Sequence, residues 1–414
     1  MIDTLEIHIP VLPTYCRSTA KDCWEIVGDL TDYGLTGNSR YVKKSDDGDN
    51  IAYDLYHAYE SIPTSHTGIA FKFMHRAYKT MPFVLLNCSI AKILQGHNVY
   101  GNLDMISGAC EMLGVFKEKF SEFSVYLDFS RAEVVRFDVT LPALTSSLNM
   151  AERIRDFLRN VDYGRYRSLS VRNIKEHYNT LYFGSEQSKT GGFKIYCKGI
   201  EFNKEMKELE HKALKNCIVS HALLNKVFTP DVREYAQRSI RIEATIKKRA
   251  IKEHGLPVNL WDFLVYQYRN PNIYQKLFNL KTGDFIEALK GMYMSFDDDV
   301  KLYELLLAKL TTITPTGKKS TTKAQNAYNF YKRIKDDGFY EVKRTTGKHT
   351  FNRNVKTLIE AGLSRAYLQS LAHSEEKSIV RLLNLDMKAE NPPSYVHPVS
   401  SYFDEFSGYL QRVA

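Results

Sequence analysis

The sequence predicts an α+β fold with a mainly antiparallel sheet, followed by a helical region. In the first two-thirds of the chain, several stretches alternate apolar and polar residues as half-buried strands do, and a few helical periodicities separate them. After Gly255-Leu256-Pro257 the apolar residues recur at helical spacing almost throughout. We therefore predict an α+β domain over residues 1–255 and a mostly helical accessory domain over residues 256–414.

Turn residues between the periodic runs set the predicted elements. The cluster Asp46-Asp47-Gly48-Asp49-Asn50 predicts a hairpin turn between two strands. The predicted strands are Thr4–Val11, Ser39–Lys44, Ile51–Tyr59, Gly68–Met74, Phe83–Asn87, Glu133–Leu141, Thr180–Gly184, Phe193–Lys198 and Ser239–Lys247. The predicted helices of the first part are Asp104–Phe120, Asn149–Asn160 and Asn203–Lys215. In the second part, breaks are predicted near Pro271, Thr282-Gly283, Pro315-Thr316-Gly317 and Gly338, and the tail after Asn391-Pro392-Pro393 is predicted to be irregular.

Composition excludes several classes of protein. With 43% hydrophobic and 25% charged residues, the chain has the composition of an ordinary globular protein. No apolar run approaches the roughly 20 residues that span a bilayer, and the first residues lack the pattern of a signal peptide. We therefore expect a cytoplasmic protein without a membrane partner. Six cysteines without a C-x-x-C pair argue against a zinc ribbon or a disulfide framework, and the net charge of +9 suits a polyanionic partner.

Two predicted strands carry the same pattern of arginine, acid and threonine. The segments are Arg136–Thr140 and Arg241–Thr245, and both read R-x-acid-x-T. Because side chains alternate between the faces of a strand, Asp138 and Glu243 would each share a face with the arginine and threonine of their segment. If the strands are neighbours, two carboxylates meet on one open face and could bind Mg²⁺ or Mn²⁺. For either strand alone, an arginine–acid ladder on a solvated face is the simpler interpretation, and the repetition favours a site.

A lysine-flanked tyrosine lies in a third predicted strand. Alternation places Lys194, Tyr196 and Lys198 on one face of this strand. Nearby positive charge favours the phenolate, which is the better nucleophile toward phosphorus, and the lysines could also bind the phosphodiester. A surface tyrosine in a basic strand is the alternative.

One loop contains a histidine beside glycine and short polar residues. The loop is Gln95-Gly96-His97-Asn98-Val99-Tyr100-Gly101-Asn102, between a predicted strand and a predicted helix. His97 could complete a metal site with the two carboxylates through one imidazole nitrogen. A hydrogen-bonded structural histidine is the alternative.

Together these segments resemble the gene II protein family, the replication initiators of filamentous phages. The resemblance runs in order over most of the chain. It is carried by Ser65–Lys72, Ala91–Gly101, Arg136–Asp138, Tyr196–Lys198, Arg241–Ala244, Gly255–Leu260, Thr314–Lys318 and Phe330–Ile334. The string Gln95-Gly96-His97-Asn98-Val99-Tyr100-Gly101 is the most specific of these segments.

The resemblance implies rolling-circle replication on a nickase palm related to the HUH and Rep initiators. Such an initiator nicks the viral strand at the origin of supercoiled duplex DNA and forms a 5′-phosphotyrosine link. A host polymerase then extends the 3′ end while a host helicase unwinds, and the initiator later rejoins the single-stranded viral strand. Carried over, the nucleophile is Tyr196 with Lys198 as its cationic neighbour, and the metal ligands are Asp138, Glu243 and His97. The two-histidine pair that marks many related nickases is missing here.

Two rival interpretations remain from the sequence. A looser likeness to plasmid rolling-circle initiators or relaxases makes Tyr182, in Thr180–Ser185, an alternative nucleophile. A repressor that binds the origin without catalysis would need only the basic helices of the second part. The number of subunits at the origin is left open.

Basic residues in the second part predict contacts with DNA phosphates. Lys323–Lys335 and Thr350–Ala361 predict a helix–turn–helix or winged arrangement, and solvated helix faces are the alternative. The residues we expect to bind DNA are Lys332, Arg333, Arg353 and Lys356 here, with Lys194, Arg136 and Arg241 in the sheet. This part also resembles a segment that filamentous phages make separately, for which Met292 or Met294 could be the start.

Overall fold

The structure is a computed structural model. It describes residues 1–27, 59–159, 179–185, 187–215, 217–289, 299–313, 315–371 and 391–411, with only the backbone at positions 288, 289 and 370. The backbone of two further strands, over 40–44 and 50–54, is also described. The predicted turn at 46–50 therefore lies mostly outside the described residues, and so do Met292 and Met294.

An eight-stranded antiparallel sheet organises the first two-thirds of the chain. Its strands, in spatial order, are β11 (Thr180–Phe183), β12 (Phe193–Cys197), β13 (Ser239–Lys247), β10 (Glu133–Leu144), β1 (Ile2–Pro10), β9 (Phe83–Ser89), β7 (Gly68–Met74) and β6 (Glu60–Pro63). Smaller antiparallel sheets in the described part join β2 (Cys16–Ala20), β3 (Cys23–Ile26) and β8 (Arg76–Tyr78), then β4 (Arg40–Lys44) and β5 (Asn50–Asp54), then β14 (Thr312–Ile313) and β15 (Lys319–Ser320). The predicted mainly antiparallel α+β fold is confirmed at this level.

Helices flank the sheet and make up most of the second part. Those of the first part are α1 (Ile90–Gln95), α2 (Ile106–Lys119), α3 (Ser121–Ser124), α4 (Leu148–Arg159), α5 (Lys198–Leu214), α6 (Ile218–Lys226), α7 (Pro230–Arg238) and α8 (Lys248–Glu253). Those that follow are α9 (Leu260–Arg269), α10 (Ile273–Leu289), α11 (Asp299–Leu310), α12 (Thr322–Asp337), α13 (Phe339–Thr345), α14 (Lys348–Glu360), α15 (Arg365–Ser370) and α16 (Phe403–Gln411). Within the described residues, none of them is long and apolar enough to cross a bilayer.

One face of the large sheet is apolar, because every second residue of its strands is hydrophobic. Phe71 of β7 packs edge-on against Phe116 in α2, with ring centroids 6.3 Å apart. Phe137 of β10 packs against Phe263 in α9, with centroids 5.4 Å apart, and against Tyr274 in α10. The helices therefore cover this face, and the alternating polar residues lie on the other one.

The buried core continues across the predicted domain boundary near residue 256. Helices α9 and α10 follow that boundary, yet they pack on the sheet through contacts such as those of Phe137. The C-terminal segment returns as well, because the rings of Phe406 and Tyr409 stack on Trp261. The division into two domains therefore remains a prediction about folding units. The tail is not wholly irregular, since α16 forms within it.

Two predictions of where an element ends were wrong. The strand that contains Tyr196 ends at Cys197, and Lys198 begins α5 instead of extending the strand. Helix α10 continues through Thr282 and Gly283, where the Thr282 hydroxyl donates a hydrogen bond to the carbonyl oxygen of Phe278 within the helix.

Gly114 in α2 is where the C-terminal segment docks. A Cβ atom at this position would lie 2.0 Å from Cγ of Tyr402. We expect Gly114→Ala to destabilise the protein by about 1–3 kcal/mol, because the tyrosine ring must move. It should also expose residues 391–411 to limited proteolysis. Gly283→Ala is the matched control, since no atom lies within 4 Å of its Cβ, and it should stabilise α10 by up to about 1 kcal/mol. Equal denaturant midpoints for the two variants would contradict this docking contact.

Candidate active site

The phenol of Tyr196 is held on the polar face of the sheet by two hydrogen bonds. Its hydroxyl donates to Oε2 of Glu243 at 3.1 Å and accepts from Nη1 of Arg241 at 3.0 Å. The side chain is only 5% exposed. Burial raises the pKa of Tyr196 well above its usual value, against the opposing effect of Arg241. The flanking lysines therefore do not give an easily ionised phenol, as the sequence pattern had suggested.

Glu243 connects the tyrosine to a lysine. Its other carboxylate oxygen, Oε1, lies 2.7 Å from Nζ of Lys194, which is directly opposite Glu243 in the sheet. Burial raises the pKa of Glu243 to about 7, Lys194 opposes this, and the negative charges of Asp138 and Asp3 add to the increase. Because burial disfavours its charged form, this carboxyl group is only partly ionised at neutral pH.

Asp138 lies beside Glu243 on the same face. Strand β10 pairs with β13 so that Asp138 is opposite Thr245, two residues from Glu243. Such diagonal neighbours are about 7–8 Å apart at their backbones. Both oxygens of Asp138 accept hydrogen bonds from Arg136, at 3.0 and 2.6 Å. The two strands are neighbours with their acids on one face, as predicted, but that face is not open here, because both acids are buried.

The cations of this face differ in their access to solvent. The side chains of Arg136 and Lys194 are about one-third exposed, so both reach the surface while they pair with an acid. Arg241 is fully buried and lies 4.0 Å from the carboxylate of Asp3. Its guanidinium contacts the Tyr196 oxygen and does not reach the protein surface. The sequence pattern instead predicted that Arg241 contacts DNA.

Sequence reasoning missed Asp3. Asn98 donates hydrogen bonds to both oxygens of Asp3, at 3.0 and 2.9 Å, and accepts one from Nζ of Lys198 at 2.6 Å. Asp3 lies one residue before the predicted start of its strand, so the alternation did not include it. Extending the alternation would have placed Asp3 on the apolar face with Leu5, and the pairing of β1 with β10 is irregular between Ile2 and Leu5, so the pattern gave no signal for it.

Comparison with known proteins gives the family. The profile of the N-terminal part of the phage replication-associated protein, the gene II product, matches residues 1–265, and the profile of its C-terminal part matches residues 313–401. The chain belongs to this replication-associated protein family. It is 30% identical to the replication-associated protein of Enterobacteria phage M13 over 96% of this chain and 99% of that protein. It is 32% identical to that of Salmonella phage IKe over 97% of each chain. No solved structure matches it significantly.

Within this replication-associated protein, the loop that carries His97 contacts the site through its asparagine rather than its histidine. Nδ1 of His97 accepts the backbone N–H of Val99 at 3.2 Å. Burial, together with the charges of Lys198 and Arg241, lowers the pKa of His97 to about 3. Within the described part of the chain, no group of three metal-ligating side chains forms, so the structure does not bring His97 together with Asp138 and Glu243 as one metal site.

Lys198 is also set apart from the tyrosine. It is buried at the first turn of α5, where Nζ contacts Asn98 and lies 3.1 Å from Oε2 of Glu201. Burial lowers its pKa, although Glu201 opposes that effect. Lys194 is instead the lysine near the phenol, with Nζ 5.6 Å from the centre of the Tyr196 ring.

The predicted DNA-binding residues of the second part are exposed on two helices. Lys332 and Arg333 lie on α12, and Arg353 and Lys356 lie on α14. Some are engaged with neighbours: Arg333 donates to the hydroxyl of Thr345, and Lys356 lies 3.9 Å from a carboxylate of the same helix. Helices α12 and α14 correspond to the two segments that were predicted to be helical, and α13 lies between them.

The polar face offers two carboxylates, Asp138 and Glu243, as possible ligands for a divalent cation. In the described residues, no group of three or more histidine, cysteine or acidic side chains is arranged to hold a metal ion. Mg²⁺, however, is commonly bound by one or two carboxylates, with waters and phosphate oxygens as its other ligands. Asp138 and Glu243 meet that minimum, since they are two carboxylates on one face of neighbouring strands. His97 does not belong to this donor set.

Proposed function

We propose that this chain initiates rolling-circle replication of a filamentous phage by nicking the viral strand at the origin. The hydrogen-bonded group of Tyr196, Glu243 and Arg241, with Asp138 beside it, is the observation that carries the proposal. This group places a tyrosine, which can act as a nucleophile, in contact with the acidic and basic side chains that cleavage of a phosphodiester requires. Membership of the phage replication-associated family supports a role in replication. Cytoplasmic action in the bacterial host follows from this role.

The proposed reaction is a transesterification. The oxygen of Tyr196 attacks phosphorus, the bond from phosphorus to the 3′-oxygen breaks, and the strand keeps a 5′-phosphotyrosine link. The proton of the phenol is already directed at Oε2 of Glu243, which can accept it as the bond forms. Lys194 and Arg136, which reach the surface, can balance the charge of the phosphate. The 3′-hydroxyl left behind would serve a host polymerase, while a host helicase separates the strands.

Mg²⁺ or Mn²⁺ is part of the proposal. Asp138 and Glu243 would hold the ion, which would polarise the scissile phosphate as a Lewis acid. For a phosphate to reach Tyr196, the buried polar face must open, because both acids and the phenol are covered in this structure.

The pH dependence of nicking should follow Glu243. Its pKa is raised from about 4.5 to about 7, so the carboxylate is protonated below pH 7 and charged above it. We expect nicking at limiting Mg²⁺ to fall by up to about tenfold per pH unit below 7, and higher Mg²⁺ to restore it. The measurement is the initial rate between pH 5.5 and 8.5 at two Mg²⁺ concentrations. A rate that does not change with pH would contradict the role of Glu243.

The basic residues on α12 and α14 should contribute to DNA affinity through phosphates. Replacing Lys332, Arg333, Arg353 and Lys356 by alanine should weaken binding to origin duplex and make it less sensitive to salt. The slope of log K against log salt should decrease by about 0.9 for each phosphate that the variant no longer neutralises. A control that removes exposed charge elsewhere is Arg249→Ala on α8. Identical slopes for the fourfold variant and the wild type would assign these residues to a solvated face.

The direct test of the proposal uses supercoiled origin plasmid. The protein is incubated with it in Mg²⁺, and the products are examined for open circles whose 5′ end carries protein. We expect such circles only when the plasmid contains the origin. A purely DNA-binding repressor would bind without any strand break, and that result would overturn the proposal.

The rival nucleophile Tyr182 has one observation in its favour. Its side chain is 36% exposed, whereas that of Tyr196 is 5% exposed. A plasmid-type initiator or relaxase that used Tyr182 alone would lose all nicking in Tyr182→Phe and keep it in Tyr196→Phe. The opposite pattern is expected here, because the oxygen of Tyr196 is hydrogen-bonded to an acid that can take its proton and to an arginine.

A further inference from the structure

A second tyrosine lies beside Tyr196 on the polar face. Strand β11 pairs with β12 so that Tyr182 is opposite Lys194 and Thr180 is opposite Tyr196. Leu181 and Phe183 of the same strand belong to the buried core. Alternation therefore puts Tyr182 and Tyr196 on one face as diagonal neighbours, with backbones about 7–8 Å apart.

The two tyrosines differ in accessibility and share one cation. Tyr196 is 5% exposed under its hydrogen bonds, whereas Tyr182 is 36% exposed on the last strand of the described sheet. Lys194 lies between them: it is the register partner of Tyr182, and its Nζ lies 5.6 Å from the Tyr196 ring centre. The ammonium group of Lys194 can therefore balance the negative charge of a phosphate at either tyrosine.

The proposed function, on which this inference rests, includes a second cut for which Tyr196 of the same subunit is no longer available as the nucleophile. Once Tyr196 carries the 5′ end, its oxygen is esterified and cannot attack again. Release of a unit-length circle requires a second cut at the origin that is regenerated behind the advancing fork. That cut must free a 3′-hydroxyl close to the first phosphotyrosine.

We propose that Tyr182 makes this second cut. Its oxygen attacks phosphorus, the bond to the 3′-oxygen breaks, and the 3′-oxygen takes up a proton equivalent to the one that Tyr182 releases. The new 3′-hydroxyl then attacks the phosphorus held by Tyr196. The circle closes as the bond to the Tyr196 oxygen breaks and that phenol regains its proton. Each step exchanges one phosphoester for another, so no oxidant or nucleotide is consumed.

The test separates the first cut from the second in the full chain. Tyr182→Phe should nick supercoiled origin plasmid at a rate within about twofold of the wild type, which also shows that the variant folds. The isolated Tyr196–DNA adduct is then given a single-stranded oligonucleotide with a second origin. Joined product should fall by at least about a hundredfold in the variant. Tyr235→Phe, which removes the hydroxyl of a partly buried tyrosine packed against a separate core cluster, is the matched control.

An oligonucleotide that already ends in a 3′-hydroxyl at the cut position bypasses the second cleavage. The Tyr182→Phe adduct should join it at the wild-type rate, and this result would place the defect in cleavage. Wild-type joining by Tyr182→Phe from the uncut oligonucleotide would overturn the inference, as would loss of the first nick in this variant. Normal nicking by Tyr196→Phe would instead reject the proposed function.

Discussion

Tyr196→Phe is expected to abolish both nicking and the covalent adduct, with a loss of at least about 10⁴-fold in rate. The reason is that phenylalanine keeps the ring but removes the only atom that can form the bond to phosphorus. Binding to origin DNA should remain within a few-fold of the wild type, because the phenol is buried and the exposed cations are unchanged. The measurements are the nicking rate on supercoiled plasmid and the affinity for the same origin duplex.

Folding must be checked in this variant. Loss of the hydroxyl removes one hydrogen-bond partner from Glu243 and one from Arg241, so a cost of about 1–3 kcal/mol in unfolding free energy is expected. Tyr235→Phe again serves as the control, with normal nicking. A Tyr196→Phe protein that nicks at the wild-type rate would remove this residue from the chemistry.

Asp138→Asn and Glu243→Gln are each expected to lower the nicking rate by about a hundredfold to a thousandfold at saturating Mg²⁺. Each amide keeps the shape of the side chain but removes a negative charge that the proposed ion requires, and Glu243→Gln also removes the group that accepts the Tyr196 hydrogen bond as a carboxylate. The matched control is Glu25→Gln, which changes a buried acid on β3, in a separate small sheet, that accepts hydrogen bonds from two arginines. Its nicking rate should stay close to that of the wild type.

Metal binding gives a second readout for these variants. Protection from thermal unfolding by Mn²⁺ without DNA should be present in the wild type and in Glu25→Gln. It should be lost in Asp138→Asn and Glu243→Gln. Full nicking in either amide variant would exclude that residue from the proposed site.

The sequence predicted the strands of the site because they obey one simple rule. Strands β10 and β13 alternate between core and polar face, so the grouping of Asp138 and Glu243 followed once the two strands were taken as neighbours. The helices after Gly255 were predictable for a similar reason, since their apolar residues recur at helical spacing. Their packing on the sheet was not, because periodicity within an element says nothing about its partner.

Burial of the polar face could not be predicted from alternation. The pattern places a side chain on a face but does not show whether other residues cover that face. Tyr196 was therefore expected to be activated by lysines, and it is instead buried between Arg241 and Glu243. Lys198 was misplaced because the strand ends one residue earlier, and a change from strand to helix leaves no clear mark in so short a segment.

The most direct measurement of the central claim is the identity of the amino acid joined to DNA after the first cut. Wild-type protein is trapped on nicked origin plasmid, digested with protease and nuclease, and the peptide that carries a nucleotide is sequenced by mass spectrometry. We predict a single modified residue, Tyr196, in a peptide that contains Ile195 and Cys197. A nucleotide on any other residue, or nicked circles with no attached peptide, would contradict the account.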